Sequence, residues 1–573
     1  MNKTAILKKR PATQTVNRLW VALILSAGIP LSGEAATALP TEAGTILQQV
    51  SPQASQPAAS DKTQLKQKQQ EAAEISSPPG GTVAIKAIKI TGNSLFSEEV
   101  LHALVTDAEG KTLDLTELNK VARRLSEYYH RHGHTMTQTI IPAQKIVDGL
   151  ITFQIIEAKY GKISLDNHSL VNDPLLQATL APLQGGDPIN QNRLDNVLLL
   201  LSDIPGEATQ AMLQPGETVG TSDLTVNTTS VPALNGNISA DNYGNAYTGK
   251  NRIGGTLNYL DPLHHGDILT LGVLTSGTNM KYGRLSYETL LNGRGTRTGV
   301  ALSSMHYTLG GDLTSLLGYG TASVTSAWAK HPLIRTPNLN TTVQLQYDRK
   351  QLDDRIDSAN TDTNRHLNNL TASLSGDTRD RFGAGAVTTW SLGAQSGNTG
   401  FDNTDALQND QTTANTAGNY IKYTASMARL QGLSETNTLY LSWTWQSANR
   451  NLDSSEKLIG GGPYTVRAYS MGVLSGDNGY LGTLEIRHTL SPSVTGQWQL
   501  IAFIDSEQLT VNRSPWTTSA NTASLSGGGI GLNWTGPAQW NGRAYVATPV
   551  GPNQTLISPA ASTTGWIQIN KGF

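Results

Sequence analysis

The chain has 573 residues, a formal net charge of −2, and charged residues at only 15% of its positions. This length exceeds what one compact domain usually holds, and the balanced charge argues against nucleic-acid binding, which normally shows a strong basic excess. The chain contains no cysteine, which excludes a disulfide framework, a thiolate metal site and a cysteine nucleophile. Glycine, at 56 residues, is consistent with many strands and turns.

The N-terminus predicts a signal peptide over residues 1–36. Basic residues between Lys3 and Arg18 precede an apolar run from Leu19 to Leu31, and small residues near Ala36 suit cleavage. The run is shorter than the roughly 20 residues of a membrane-spanning helix, which favours a cleaved signal over an uncleaved anchor. Because no later stretch has that length either, a membrane-spanning form of this chain has to be a barrel.

Residues 37–81 are polar and rich in alanine, glutamine, serine and proline. Within them, Asp61–Ile75 predicts a short polar helix, which Ser60 or Asp61 would cap and Pro78 would stop. Such a helix buries almost nothing by itself. We therefore expect a linker region whose one helical segment is either disordered or docked against a polar surface.

Residues 82–158 predict the order strand, helix, helix, strand, strand. The strongest element is a helix from Asp114 to Arg131, whose apolar residues share one face and which Gly133 ends. Residues 159–230 repeat this order, with a leucine-rich helix over Asn190–Ser202. Two small α+β domains in tandem are expected.

From residue 235 to 573, helical periodicity disappears and short alternating segments recur between polar loops. In Leu439–Gln446 the odd-numbered residues are leucine or tryptophan, whereas the even-numbered residues carry polar groups. An apolar face opposite an uncharged polar face is typical of a barrel with lipid outside and water inside, because a soluble sandwich carries more charge on its polar face. The segments predict a transmembrane antiparallel β-barrel of about 16 strands.

The C-terminus fits this prediction. Ile567, Ile569 and Phe573 share one parity of the final segment, and the chain ends on the aromatic residue. A terminal aromatic residue on an alternating strand resembles the C-terminal signal of bacterial outer-membrane barrels.

Four blocks of sequence then point to a family. They are Tyr-Tyr-His-Arg-His-Gly at 128–133 with Ile-Pro-Ala-Gln-Lys-Ile-Val-Asp-Gly-Leu at 141–150, Pro-Gly-Glu-Thr-Val-Gly-Thr-Ser-Asp-Leu-Thr-Val at 215–226, Asp-Asn-Tyr-Gly-Asn-Ala-Tyr-Thr-Gly at 241–249 with Asp-Pro-Leu-His-His-Gly-Asp at 261–267, and Gly-Gly-Gly-Pro-Tyr-Thr-Val-Arg-Ala-Tyr-Ser at 460–470. Together they resemble the TpsB transporters of two-partner secretion, the ShlB, FhaC and HecB haemolysin secretion/activation family of the Omp85 superfamily. The resemblance runs from about residue 83 to 573, and the first two blocks resemble the ends of POTRA domains.

The most specific block resembles the Val-Arg-Gly-Tyr motif at the tip of the long sixth extracellular loop, which in this superfamily folds back into the barrel. Its members here are Val466, Arg467 and Tyr469, while Ala468 replaces the usual glycine. The resemblance assigns these residues to the loop-6 motif.

The partner of that motif in the superfamily is Phe-x-Asp-x-Gly on the inner barrel wall. Phe503 and Asp505 match it, whereas Glu507 replaces the glycine. The parity of the segment places Phe503 and Asp505 in the lumen. A guanidinium can meet a carboxylate through two parallel hydrogen bonds, so we expect Arg467 to pair with Asp505.

The resemblance implies an outer-membrane transporter, with POTRA domains in the periplasm, that recognises and secretes one TpsA-type exoprotein. It also implies contact with outer-membrane lipid and, during biogenesis, with the barrel assembly machinery, and it assigns the Asp61–Ile75 helix as a plug. No catalytic residue, cofactor, metal ion or nucleic-acid partner is expected. The identity of the exoprotein stays open among haemolysin, adhesin, contact-dependent toxin and haem-binding protein.

Three alternatives are weaker. An Omp85-type barrel assembly insertase is disfavoured because only two POTRA-like units fit before residue 235. A passive porin does not need about 150 residues of α+β modules, and an enzymatic barrel lacks a recognisable serine–histidine–aspartate arrangement.

Several short motifs resemble other sites only superficially. Gly244–Asn251 almost matches a phosphate-binding loop, but it ends in asparagine and opens no helix. The histidines between His130 and His134 suit a cationic helix end better than a metal site. Glu485 and Arg487 fall on the polar parity of their segment, so we expect them to be lumen charges.

Overall fold

The computed structural model describes residues 42–50, 81–552, 556–557 and 561–573. The predicted signal peptide and the predicted helix at Asp61–Ile75 lie outside these residues. Within the described part of the chain, no helix combines the length and the apolar character needed to cross a bilayer. A helix that the sequence did not predict, α1, spans Ala43–Val50.

Sixteen antiparallel strands close into a barrel. They are β9 Leu234–Asp241, β10 Arg252–Leu260, β11 Ile268–Thr275, β12 Met280–Leu290, β13 Arg297–Thr308, β14 Gly318–Arg335, β15 Leu339–Ile356, β16 Thr361–Asp380, β17 Ala386–Phe401, β18 Gly418–Gly432, β19 Asn437–Ala448, β22 Asn478–Thr489, β23 Gln497–Thr510, β24 Thr522–Thr535, β25 Trp540–Pro549 and β26 Thr564–Gly572. The first and last strands, β9 and β26, close the barrel. The predicted barrel of about 16 strands is confirmed.

Alternation along each strand separates the two faces, because successive side chains of a strand point to opposite sides. On the outside, Val300, Leu302 and Ile530 are at least half exposed. In Leu439–Gln446, Leu441 and Trp443 face outward, whereas the even-numbered residues face the lumen. A continuous apolar outer band follows, as a lipid-facing surface requires.

The first α+β domain precedes the barrel. It contains β1 Val83–Ala84, β2 Ala87–Thr91, α2 Glu98–Ala103, β3 Thr112–Leu113, α3 Leu115–Arg131, β4 Gln138–Ile140 and β5 Leu150–Ile156. Asp114 and Glu117 form a capping box at the start of α3, satisfying backbone N–H groups that would lack partners. The apolar face of α3 packs on the three-stranded sheet β2-β5-β4.

The second α+β domain contains β6 Lys159–His168, α4 Asp173–Leu180, α5 Gln191–Ser202, β7 Glu207–Pro215 and β8 Thr221–Ser230. Its sheet has the order β6-β8-β7, and Asn190 caps the leucine-rich helix α5. The order of elements that the sequence predicts for residues 159–230 is therefore observed.

The second α+β domain is docked on turns at one end of the barrel, which we call the proximal end. The Arg335 guanidinium donates two hydrogen bonds of 2.7 Å to Asp203, and the Asn172 amide donates to the carbonyl of His264. Leu290 of the barrel belongs to the apolar core of this domain. The opposite, distal end carries the longer connections, including α6 Thr404–Thr412 and loop 6, residues 449–477, with its short strands β20 Leu458–Gly460 and β21 Leu474–Gly476.

Candidate functional site: loop 6 in the barrel lumen

The tip of loop 6 lies inside the barrel, with Arg467 on Asp505. Its Nε donates to Asp505 Oδ2 at 2.9 Å and its Nη2 donates to Oδ1 at 2.7 Å. The backbone N–H of Arg467 also donates to Oδ2, at 3.1 Å. Both side chains are buried, with 4% and 0% exposure. The structure thus brings together the two residues that the sequence paired, in the bidentate geometry that only an arginine can provide.

Arg467 has a second acceptor that sequence reasoning missed. Its Nη1 donates to Glu485 Oε1 at 2.6 Å, and Arg487 holds the other oxygen of that carboxylate. The guanidinium also stacks on the ring of Phe503, 3.4 Å from its centroid. The polar parity of Glu485 signalled a lumen position, but not its partner. A second ring, that of Tyr545, has its centroid 5.0 Å from the guanidinium, so the positive charge of Arg467 is compensated by two carboxylates and two aromatic faces.

The backbone of the loop tip is tied to the last barrel strand. The Trp566 indole N–H donates to the carbonyl of Arg467 at 2.8 Å, and the Thr564 hydroxyl donates to the carbonyl of Ala468 at 2.9 Å. Val466 and Tyr469 are buried in the same cluster. The tip of loop 6 is thereby fixed to one stretch of the barrel wall, from β22 to β26.

Ala468 fits where the family has glycine because the barrel wall makes room for it. Its methyl group lies against Gly527 of β24, where any added Cβ would collide with it. Ala468 does not adopt a positive φ, so the conformation here does not require glycine.

Glu507 continues the lumen face of β23 beyond Asp505. The strand pairs with both neighbours without a register shift, so no bulge turns the side chain away. Glu507 is 1% exposed, and neither carboxylate oxygen has a hydrogen-bond partner among the described residues. It does not displace Asp505 as the acceptor of Arg467.

The base of loop 6 is anchored separately. Glu456, 3% exposed, accepts from Lys350 at 2.6 Å and also from Lys422. The amides of Asn369 and Gln395 donate to the same carboxylate, at 2.7 and 2.9 Å. These four donors belong to four consecutive strands, β15 to β18. The base of the loop is thus fixed to the wall opposite its tip.

Helix α1 lies in the distal lumen against this base. Arg365 joins the two, because its guanidinium donates to Asp354, to Asp453 of loop 6 and to Glu42 just before the helix. The backbone of α1 also packs closely against loop 6, since a Cβ at Gly44 would collide with the Ser454 hydroxyl. The apolar residues of α1 pack on a lumen cluster that includes tyrosines and methionines of β12 and β13. The distal lumen is consequently filled by α1 and loop 6 together.

The other motifs lie at a helix end and in a barrel turn. No group of three or more histidine and acidic residues among the described residues is arranged to hold a metal ion. His134 instead meets the carbonyl of Ile189 in the second α+β domain, 3.0 Å away. Gly244–Asn251 forms the distal turn between β9 and β10, with no helix to direct N–H groups at a phosphate.

Comparison with known proteins agrees with this geometry. The model of the haemolysin secretion/activation protein family ShlB/FhaC/HecB matches residues 220–534, more than half of the chain. The chain belongs to this family. The model of the ShlB-type POTRA domain matches residues 83–158, so the first α+β domain is an N-terminal POTRA domain, and such domains are periplasmic in this family. The protein is thus an outer-membrane transporter of partner exoproteins, and its distal end faces the cell exterior.

Individual relatives match most of the length of the chain. The heme/hemopexin transporter protein HuxB of Haemophilus influenzae is 26% identical over 494 residues, which cover 85% of this chain and 86% of HuxB. The structure of CdiB from Escherichia coli covers 88% of this chain and 92% of its own at 18% identity, with a TM-score of 0.69. The structure of CdiB from Acinetobacter baumannii gives a TM-score of 0.61 at 18% identity, and the match covers 92% of this chain and 96% of that CdiB chain. The two structures share the fold with this chain.

Proposed function

We propose that this transporter exports one TpsA-type exoprotein through its barrel, and that Arg467 holds loop 6 in the resting position from which export begins. The observation that carries the proposal is the seating of Arg467 on Asp505 and Glu485 inside a closed barrel. Export requires that loop 6 can leave this position. Because a single side chain, Arg467, makes these contacts, they can be broken together. We assign no catalytic role to any residue.

We assign residues 82–158 and 159–230 as the periplasmic POTRA domains that receive the unfolded exoprotein, and 235–573 as the barrel. Each domain sheet leaves edge strands without a partner among the described residues, β2 and β4 in the first and β6 and β7 in the second. Such edges accept an extended chain by strand addition. The Arg335–Asp203 contact supports direct transfer from the second domain to the pore.

Residues 37–81 are assigned as the plug and linker region. The position of α1 in the distal lumen supports a plug carried by Ala43–Val50, and the segment Asp61–Ile75 remains a second candidate. An occupied lumen also argues against a passive porin. The apolar outer band suits contact with outer-membrane lipid.

Co-expression of the chain with the large exoprotein encoded by a neighbouring gene tests this function. The exoprotein should accumulate in the medium only when the transporter is present. A variant lacking residues 83–158 should still insert as a heat-modifiable barrel, because the barrel strands close without that domain, but should export nothing. Normal export by this variant would show that recognition lies elsewhere, and no export by the full chain would reject the function.

A further inference from the structure

Glu507 is a buried acidic side chain whose role the contacts in this structure do not explain. Its carboxylate is 1% exposed and has no hydrogen-bond partner among the described residues. The backbone N–H of Gly461 faces the carboxylate, but not in hydrogen-bonding geometry. A buried carboxyl group without a hydrogen-bond partner costs free energy in either protonation state, and a second state in which it is paired explains its presence.

The position of Glu507 suggests what that partner is. Asp505 and Glu507 share the lumen face of β23 and are separated by about 7 Å, two residues of strand rise. Glu507 is nearer the distal end, from which loop 6 enters the barrel. The stem of the loop already touches it, since a Cβ at Gly460 would lie 2.8 Å from Glu507 Oε2. A shift of loop 6 by about 7 Å toward the distal end, equal to two residues of β23, therefore carries Arg467 from Asp505 to Glu507.

We propose that Glu507 is a positioning residue that receives the Arg467 guanidinium in a second, outer position of loop 6. This inference rests on the resting-state role proposed above for Arg467. The outer position lets the loop begin its retreat from the lumen while the guanidinium remains paired. Without it, the first step of the retreat leaves a buried charge uncompensated, which costs several kcal/mol.

The wall around the two positions explains why the inner one is occupied at rest. At the inner level, Thr483 of β22 donates to Asp505 at 3.0 Å, and Gly527 of β24 makes room for Ala468. At the outer level, the strand register places Leu481 and Leu525 beside Glu507. These leucines offer no hydrogen bond and leave less room, so the outer position is a transient one.

Disulfide trapping can detect the outer position, because the chain has no cysteine of its own. In the outer position Ala468 faces Leu525, so the pair Ala468→Cys/Leu525→Cys should form a disulfide during export in the full-length protein. Adding Glu507→Gln should slow this reaction by about tenfold, since the outer position then lacks its counter-charge. Glu507→Asp should restore most of the rate.

The pair Ala468→Cys/Thr564→Cys is the matched control, since it reports the inner position, where Thr564 bonds Ala468. Its rate should not fall in the Glu507→Gln variant. If the pair Ala468→Cys/Leu525→Cys forms its disulfide at the same rate with and without Glu507→Gln, the proposed outer position is refuted. Export unaffected by Arg467→Ala would instead overturn the role of loop 6, so the two failures are distinguishable.

Discussion

Replacing Arg467 by alanine removes the side chain that fixes the tip of loop 6 in the lumen. The substitution deletes two side-chain hydrogen bonds to Asp505, one to Glu485 and the stacking on Phe503. Asp505 keeps only the Thr483 hydroxyl and a backbone N–H. Because the barrel strands pair independently of the loop tip, insertion into the membrane should be preserved.

The expected effect on seating of the loop is large. Removing one partner of a buried ion pair costs about 3–5 kcal/mol, because the other charge stays buried without compensation. That corresponds to roughly two to three and a half orders of magnitude in the equilibrium between the seated and the released loop. Arg467→Lys should recover only part of it, since an ammonium lacks the planar fork that spans both oxygens.

Secreted exoprotein in the medium measures function, and heat-modifiability of the barrel measures assembly. Arg467→Ala should abolish or strongly reduce secretion with normal barrel levels. Arg429→Ala is a control, because Arg429 also donates two hydrogen bonds to one carboxylate, that of Asp380, but lies on the outer face of β18 near the proximal end, away from loop 6. It should secrete nearly as well as the wild type.

The double variant decides whether Arg467 and Asp505 act as a unit. Asp505→Ala should also reduce secretion, although Arg467 then keeps Glu485. Arg467→Ala/Asp505→Ala should be no worse than Arg467→Ala alone, since it removes the carboxylate that the first substitution left unpaired. Losses that multiply, or full secretion by Asp505→Ala, would refute the pairing.

Further predictions concern the plug and the second α+β domain. Deleting residues 42–50 should raise single-channel conductance if α1 is the plug, whereas deleting 60–76 should raise it if the predicted polar helix is; unchanged conductance in both would reject a plug in this region. Gly44→Val should also raise conductance, because its side chain would collide with Ser454 at the base of loop 6, and Thr45→Val is the control. Burial raises the pKa of Glu207 in β7 to about 7, against the lowering effect of the Thr209 hydroxyl. Its protonated form is therefore favoured in the folded state, and stability should fall as pH rises from 4.5 to 7 by up to about 3 kcal/mol. Hydrogen exchange at β7 should show stronger protection in Glu207→Gln than in the wild type at pH 7.5 and no difference at pH 4; equal protection at both would contradict this assignment.

Much of the architecture was predictable because it depends on local periodicity. A strand exposes alternate residues to lipid and to the lumen, so parity alone assigned Leu441 and Trp443 to the outside and Phe503 and Asp505 to the inside. The capped helix α3 was likewise marked by its own sequence, from Asp114 to Gly133. The pairing of Arg467 with Asp505 was predictable only through resemblance, because 38 residues separate them.

The remaining contacts were decided by closure of the barrel. Closure brings together Glu456 with lysines and amides of four different strands, and Arg365 with Glu42, which lies 323 residues away. Parity placed Glu485 and Arg487 in the lumen but could not identify their partners, since the lumen face of any one strand lies opposite many other strands. The sequence did not predict α1 either. This eight-residue helix is too short to be stable by itself and is stabilised by packing between loop 6 and the barrel wall. The sequence by itself therefore determined which side of the wall each residue occupies, and the tertiary structure determined its partner, because a partner across a closed lumen is fixed by barrel geometry and not by chain neighbours.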